Sequence, residues 1–390
     1  MVTIVLNVVP DDVSIGGVHV RALAVAQELR RVGIETIFLS AYSFGDKPFS
    51  KKARSAGFRC FHYIGINRPS SFRNAKTIFK NLLYVLFFPI SIVSSLYIML
   101  ISKANVVHIN GFLNIVPLIS AKIFRKKTVY HLIGDHYPTY IVKRLGFFLK
   151  ISDENVFIAN SLKEYYSAGK SLKGKTIYEP IPKNNFKIDN YKIKNIKQEF
   201  NILDYDYIVG NVANYTPVKG WEYFIDIANK VQNELKTQKI LFICIGSVVN
   251  NHLNYYLDVV ERSNKTNTQF VFTGYREDVI ELISIMDVFL MPSLKEGTPI
   301  TILESFLAET PVVASNVGGI KEQIENGING YIVEPRNIDE FAKKTKELLI
   351  DAQQNKRFTK KSKHVLNKKF KLSNHVKQII NVYKELTSHF

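Results

Sequence analysis

The chain has 390 residues, which is too long for one ordinary hydrophobic core and fits two α/β domains. Its apolar fraction of 46% and charged fraction of 22% are ordinary for a soluble protein. The two cysteines, Cys60 and Cys244, are too few for a disulfide framework, and they show no metal-ligand spacing. This cysteine usage fits a reducing cytosol.

Positive charge is concentrated in the first half of the chain. Residues 1–175 carry 24 Lys and Arg against 9 Asp and Glu, whereas the remaining residues carry 28 against 25. Such a basic half indicates a polyanionic partner. Nucleic acid is disfavoured because zinc-finger spacing and an aromatic RNA-binding signature are missing. An anionic membrane surface or a phosphorylated acceptor fits better, and a merely soluble basic surface is the alternative.

The chain opens with a strand, a glycine loop and a helix. Residues 2–9 read as the strand, and they lack the basic lead and cleavage site of a signal peptide. The loop 10–17 ends in Gly16 and Gly17, and a helix is predicted over Val18–Val32 with Gly33 at its end. This order is the phosphate-binding pattern of α/β folds, although two glycines also mark any tight turn.

The rest of the first half alternates strands with helices. A helix within 45–60, and the Asn160-Ser161 pair as a helix cap, complete a Rossmann-like domain over 1–180. The predicted strands are Ile34–Leu39, Phe61–Ile64, Val106–Ile109, Val129–Ile133 and Val156–Ala159.

The twenty residues from Leu82 to Ile101 carry no charge and are long enough to span a bilayer. Pro89 and several serines interrupt this run, and a strand follows it directly. We therefore expect a helix that packs in the first domain and dips part of its apolar surface into the lipid interface. Its basic flanks suit anionic lipid, and a fully buried core helix is the alternative; the flanking residues are Arg73, Lys76, Lys80 and Lys103.

A hinge is predicted at Glu179–Pro182, followed by a polar connector over 184–198. The second Rossmann-like domain spans 200–368, with strands that begin near Ile208, Ile240, Phe270 and Met286. The final segment, 369–390, forms a helix whose apolar stripe indicates that it crosses back onto the first domain.

The most informative stretch runs from Ser293 to Gly330 and reads as loop, helix, strand, glycine turn and helix. Thr298 fits an N-cap and Pro299 the first helical position. A helix start is a natural anion site, because its free N–H groups and its dipole face outward. Glu296 and Glu304 frame this helix start, which suits a nucleotide sugar; glutamates that simply face water are the alternative.

This stretch resembles the donor-binding segment of the retaining glycosyltransferases of family four. The family pattern is Glu, seven residues, Glu, then Pro-Val-Val-Ala, Gly-Gly, Glu and Gly-x-x-Gly. The resemblance implies the GT-B fold, in which two Rossmann-like domains face each other across a cleft. The matching positions are Glu296, Glu304, Pro311 to Ala314, Gly318-Gly319, Glu322, and Gly327 with Gly330.

The resemblance also implies roles for individual residues. Lys219, the penultimate residue of the loop NVANYTPVKG, would neutralise the donor diphosphate together with the helix start formed by Gly297, Thr298, Pro299 and Ile300. Glu296 would contact the donor sugar and Glu304 the ribose. The remaining implied contacts are His131 near C1 on the acceptor side, Gly16 and Gly17 opposite the phosphates, and Tyr275 and Arg276 beside the nucleobase.

One family feature is missing, because Asn214 and Thr216 stand where the family usually has an arginine. Arg276 is a candidate substitute for that charge. His131 and His108 are each open to a second interpretation, as ordinary histidines in or at the end of a strand.

The predicted function is metal-independent, retaining transfer of a sugar from a UDP-sugar or GDP-sugar, with no cofactor. The predicted acceptor is a saccharide, with polyprenyl diphosphate as the expected lipid carrier, as in bacterial surface-polysaccharide synthesis. The predicted location is cytoplasmic, at the inner face of the plasma membrane. The alternatives are a soluble glucan or sucrose-type transferase and a non-catalytic binding module on the same fold.

Overall fold

The computed structural model describes residues 3–10, 12, 15–42, 46–65, 75–134, 137–167, 172–181 and 188–387. For residues 75–80 and 250 it describes the backbone alone. Contacts divide the chain into two compact units: Met1–Asn184 with Lys371–Phe390, and Asn185–Phe370. Arg73 on the predicted basic flank and Pro182 of the predicted hinge lie outside the described residues.

The first unit is built on a parallel sheet of seven strands. The middle strands are buried on both faces, as expected for a parallel sheet that helices cover on each side. The strands are β1 (Ile4–Val8), β2 (Glu35–Ala41), β3 (Arg59–Tyr63), β4 (Val106–Asn110), β5 (Lys127–Leu132), β6 (Glu154–Phe157) and β7 (Lys175–Thr176), and their order in the sheet is β3-β2-β1-β4-β5-β6-β7.

Seven helices connect these strands. The first begins at Gly17, directly after the glycine loop, and ends before Gly33, whose φ of +80° suits glycine. The helices are α1 (Gly17–Arg31), α2 (Pro48–Ser55), α3 (Ala75–Ser102), α4 (Ile115–Ile123), α5 (Thr139–Leu145), α6 (Phe147–Ile151) and α7 (Asn160–Ser167).

Helix α3 carries its polar and apolar side chains on unexpected faces. Its part from Asn81 to Ser102 is long and apolar enough to cross a membrane, yet only 28% of its most apolar 18-residue stretch is buried in the protein. Small polar side chains such as Ser91 and Ser95 face the protein, with the hydroxyl of Ser91 close to the backbone of Gly65. Large apolar side chains face outward, namely Leu82, Val85, Leu86, Ile90, Val93, Tyr97 and Leu100.

The second unit repeats the architecture with a six-stranded parallel sheet. Its strands are β8 (Tyr207–Val212), β9 (Ile240–Ile245), β10 (Gln269–Gly274), β11 (Val288–Met291), β12 (Val312–Ser315) and β13 (Tyr331–Val333), in the order β10-β9-β8-β11-β12-β13. Its helices are α8 (Asn190–Glu199), α9 (Trp221–Glu234), α10 (Leu253–Asn264), α11 (Val279–Ser284), α12 (Ile300–Leu307), α13 (Ile320–Gln323), α14 (Ile338–Ile350) and α15 (Ala352–Val365).

The last helix, α16 (Leu372–Thr387), belongs to the first unit, where it packs beside α1. Its apolar stripe joins a buried cluster with Val5, Val25 and Leu29. Burial of one such aliphatic side chain stabilises the fold by roughly 1.5–3 kcal/mol, so the stripe holds this helix firmly to the first sheet.

The structure corrects two predicted boundaries. Residues 190–198 of the predicted connector lie in α8, because the Asp189 carboxylate accepts hydrogen bonds from the N–H groups of Tyr191 and Lys192 and caps the helix. In the donor-like stretch the N-cap is Pro299 rather than Thr298, so that α12 begins at Ile300. The Thr298 hydroxyl is buried and has no hydrogen-bond partner. The predicted α/β fold with two Rossmann-like domains is confirmed.

Candidate functional site

Two loops of the second unit are bound together at the carboxyl edge of its sheet. A single 3₁₀ turn, Pro217–Lys219, follows β8, and the N–H of Leu294 donates to the carbonyl of Val218 at 2.8 Å. Gly220 has φ of +67°, and a Cβ there would lie 2.2 Å from the carbonyl oxygen of Pro292. Only glycine therefore permits this close approach, which brings Lys219 beside the loop that carries Glu296.

Lys219 and Glu296 form an ion pair within this loop cluster. The Lys219 ammonium Nζ lies 2.8 and 2.7 Å from the two carboxylate oxygens of Glu296, and Ser293 Oγ donates to Oε1 at 2.8 Å. Glu296 is 7% exposed, while the lysine side chain is 27% exposed. The pair therefore presents an accessible cation whose charge is balanced by a nearly buried carboxylate.

A glycine turn supports the Glu296 loop from below. Gly318 follows β12 with φ of +54°, and a Cβ there would lie 1.9 Å from the carbonyl oxygen of Glu296. The N–H of Gly319 donates to the carbonyl of Gly297 at 2.6 Å. The close backbone contacts of Gly318 and Gly319 thus fix the position of the loop that leads into α12, and a side chain at Gly318 would prevent them.

The ion pair lies on the wall of a pocket of about 330 Å³, a size in the range of small-molecule sites. Glu304 lies one turn beyond Ile300 on α12, and residues four apart share a helix face. Gly297 and Thr298 connect the wall residues Glu296 and Pro299. The wall includes Asn214, Lys219, Ser247, Tyr275, Arg276, Glu296, Pro299, Ile300 and Thr301.

Arg276 is committed to two carboxylates. Its guanidinium donates to Asp278 through Nε and Nη2 at 2.8 Å each, and to Glu199 through Nη1 and Nη2 at 2.6 and 3.0 Å. These partners raise the pKa of Arg276. Its candidacy as a substitute for the missing arginine loses support, because these hydrogen bonds take four of its five N–H groups. The neighbouring Tyr275 is 71% exposed and free to contact a ligand.

The predicted residues of the first unit divide into exposed and enclosed ones. Gly16 and Gly17 are exposed at the start of α1. His131 is only 1% exposed: its Nε2 lies 3.3 Å from Arg21 Nη1 and its Nδ1 lies 3.0 Å from His108 Nε2. Burial is the main cause that holds the pKa of His131 well below its usual value. This geometry favours a structural role, so that contact between His131 and a sugar remains a prediction without support from the structure.

Sequence reasoning missed the residues that surround these groups. Arg21 and Glu179 form a buried ion pair in the first unit, and Ser293 supports Glu296 in the second. One signal was present, because Arg21 interrupts the apolar face of α1, where a buried charge needs a partner. Among the residues that the structure describes, no group of three His, Cys, Asp or Glu side chains could hold a metal ion.

The architecture of the two units is that of GT-B glycosyltransferases. The crystal structure of Anabaena Alr3699/HepE in complex with UDP and glucose matches 98% of this chain and 100% of that one, with a TM-score of 0.76 and 18% identity. At this identity the match establishes the fold alone. Residues 192–365 match the model of the family described as glycosyl transferases group 1.

Two curated relatives carry informative names. The chain is 33% identical over 165 residues to the O-antigen biosynthesis glycosyltransferase WclY of Escherichia coli, which covers 42% of this chain and 44% of that protein. It is 29% identical over 131 residues to the UDP-Gal:alpha-D-GlcNAc-diphosphoundecaprenol alpha-1,3-galactosyltransferase of Escherichia coli, which covers 33% of each. The chain thus spans less than half the length of these two relatives.

Proposed function

We propose that this protein transfers a sugar from a nucleotide-diphosphate sugar to a saccharide acceptor in bacterial surface-polysaccharide synthesis. The observation that carries the proposal is the Lys219–Glu296 pair on the wall of the second unit's pocket, at the entrance to α12. The match of residues 192–365 to the family model and the names of the two relatives support it.

The chemistry requires the protein to neutralise the leaving diphosphate and to hold the acceptor hydroxyl beside C1. The accessible ammonium of Lys219 would take the diphosphate, together with backbone N–H groups in the stretch Gly297–Ile300. Arrival of that anion would draw Lys219 away from Glu296. The freed carboxylate oxygens would then accept hydrogen bonds from the sugar hydroxyls, so that one ion pair serves both ends of the donor.

Three further contacts to the donor are part of the proposal. Glu304, on the same face of α12 as Ile300, would accept hydrogen bonds from the ribose hydroxyls, and the exposed ring of Tyr275 would stack on the base. At the exposed start of α1, the Gly16 N–H donates to His19 Nδ1 at 3.2 Å, and the N–H of Gly17 would be the group offered to the phosphates. We assign the enzyme to the retaining, metal-independent type, in which the leaving phosphate helps to deprotonate the acceptor.

Nucleotide binding is the first test. The melting temperature would be measured with UDP, GDP and ADP and their sugars, for the wild type, Glu304→Ala and the matched surface variant Glu309→Ala. We expect one nucleotide to raise the melting temperature of the wild type and of Glu309→Ala by several degrees, but not that of Glu304→Ala. A protein that responds to no nucleotide would instead be a non-catalytic member of the fold.

We further propose that the acceptor is lipid-linked and that α3 holds the protein at an anionic membrane. Leu82, Val85, Leu86 and Val93 are each 65–68% exposed, while serines occupy the inner face. Each such side chain gains roughly 1.5–3 kcal/mol when it leaves water, which makes this face unfavourable against bulk solvent. The net charge of the first half, with Lys103 just after the helix, matches anionic headgroups.

Vesicle binding tests the membrane contact. Co-sedimentation with vesicles that contain phosphatidylglycerol would compare the wild type with Leu86→Asp/Val93→Asp and with Leu257→Asp, an equally apolar exposed site on α10 of the second unit. We expect the α3 variant alone to lose at least tenfold in binding, while its nucleotide response stays intact. Equal binding by all three proteins would remove α3 as the contact.

A further inference from the structure

Arg21 is the centre of a buried polar network in the first unit that the proposed chemistry does not use. It is 3% exposed and lies in α1, four residues after Gly17. Its guanidinium donates to Glu179 Oε2 at 2.8 Å, to Asn110 Oδ1 at 2.6 Å and to His131 Nε2 at 3.3 Å. One side chain therefore joins α1, the end of β4, strand β5 and the segment that follows β7.

The donor character of arginine fixes the direction of the hydrogen bonds beyond it. Arginine has no acceptor, so His131 Nε2 accepts, and its proton must sit on Nδ1 and be donated to His108 Nε2 at 3.0 Å. His108 Nδ1 then donates to the hydroxyl of Tyr383 at 2.7 Å, on α16. A single ordered chain therefore runs from α1 through the sheet to the terminal helix.

The same network holds the two places where the chain leaves and re-enters the first unit. The chain leaves after Asn184 and returns at Lys371. Close to these points, His375 Nδ1 donates to the carbonyl of Tyr178 at 2.9 Å, and Ile181 forms a β-bridge with Lys371. Glu179 lies between these two contacts and points to Arg21, so the exit segment is pinned to the first turns of α1.

Stability alone is a weak reason for such an ion pair. A buried pair gains little over apolar side chains of similar volume, because both charges must be removed from water. Arg21 lies one turn beyond Gly17 and faces the same side of α1, so the pair fixes the angle at which the Gly16-Gly17 turn meets the exit segment. Asn110 extends the hold to β1, because its Nδ2 donates to Asn7 Oδ1 at 2.8 Å and to the carbonyl of Val8 at 2.7 Å.

We propose that Arg21 and Glu179 are positioning residues that hold the Gly16-Gly17 turn and the exit segment Tyr178–Ile181 in one fixed relation for sugar transfer. The inference rests on the proposed function of Gly16 and Gly17 as part of the donor site. The pair acts through the backbone and touches no substrate. The donor pocket lies within the second unit and the Gly16-Gly17 turn would add only a contact to the phosphates, so loss of the pair should weaken nucleotide binding less than it lowers the turnover number.

The test replaces both charges by apolar side chains. Arg21→Met and Glu179→Met would be made singly and together, with Arg30→Met as the control: Arg30 lies on the same helix, is exposed, and donates to the carbonyls of Ala56 and Gly57. We expect each single variant to be unstable and the double variant to melt close to the wild type. The double variant should lose at least tenfold in kcat with a smaller rise in its nucleotide Kd, whereas Arg30→Met should keep the wild-type values of both.

A second readout needs no turnover. Hydrogen exchange of the backbone N–H groups of residues 16–19, 177–179 and 181 should accelerate together, at least tenfold, in the double variant and not in Arg30→Met. A double variant with wild-type kcat, or with unchanged exchange at residues 16–19, would overturn the positioning role. If the wild type transfers no sugar, the proposed function fails, and the exchange data still decide whether the pair couples the two segments.

Discussion

The two units share one architecture but use the polar side chains at the carboxyl edge of their sheets in opposite ways. In the first unit, Arg21, His131 and Glu179 are buried, and Arg21 donates hydrogen bonds to both of the others. In the second unit, Lys219 and Glu296 stand on the wall of an accessible pocket, where the cation is exposed enough to meet a ligand.

The role of a charged or titratable residue at a strand end therefore cannot be inferred from its position alone. The role follows from whether the neighbours leave any hydrogen-bonding capacity free. His131 has both ring nitrogens engaged, and Arg276 has four of its five N–H groups engaged, so each is a poor ligand for a substrate. Lys219 has one partner and open space beside it.

Lowering the pH should destabilise the buried polar network around Arg21 in the first unit. Burial lowers the pKa of His108 and of His375 to about 3, with Arg21 as the charge that lowers both further. Their unfolded pKa is about 6.5, so below that pH the unfolded chain binds more protons and stability falls as pH falls towards 3. We expect the first unit to lose on the order of 4 kcal/mol between pH 7 and pH 5 from these two groups.

Denaturant unfolding at both pH values, followed by hydrogen exchange in each unit, measures this effect. His375→Gln can still donate to the carbonyl of Tyr178 but does not titrate, so its loss of stability should be clearly smaller. A first unit as stable at pH 5 as at pH 7 would show that these histidines are not held neutral by the fold.

Glu296→Gln should sharpen the contrast from the other side. We expect transfer to fall about 100-fold, or about 2.7 kcal/mol in the barrier, because the sugar hydroxyls lose a charged acceptor. Affinity for the nucleoside diphosphate alone should hold or rise, since Lys219 is released from its partner. Steady-state kinetics and calorimetric titration measure both quantities, with Glu261→Gln as a surface control. Weaker diphosphate binding with unchanged kcat would contradict the assigned roles.

Arg276→Gln should have the smallest effect. The residue lies at the pocket but is committed to Glu199 and Asp278, so its removal should cost roughly 1 kcal/mol of stability, as for other partly exposed ion pairs. Nucleoside-diphosphate affinity should change less than threefold. Arg262→Gln, which breaks a similar pair with Asp226 on the same unit, is the matched control. A loss of more than tenfold, confined to Arg276→Gln, would restore Arg276 as the diphosphate cation.

The two-domain α/β fold and the loop, helix and strand around Glu296 could be predicted from local sequence patterns. These features are local: a buried parallel strand is a short apolar run, and a helix start carries proline and its caps within a few residues. The spacing of Glu296, Glu304 and the glycines indicated a donor site because these residues are close in the chain as well as in space.

Which polar groups are buried and hydrogen-bonded could not be predicted from the sequence, because it depends on tertiary contacts. Arg21 and Glu179 are 158 residues apart, and His108 meets Tyr383 across 275 residues, so no local pattern links them. The structure also placed the serines of α3 inside and its large apolar side chains outside, which composition cannot distinguish from a core helix. Burial and hydrogen-bond saturation depend on every element that packs around a residue, and that sum exists only once the chain has folded.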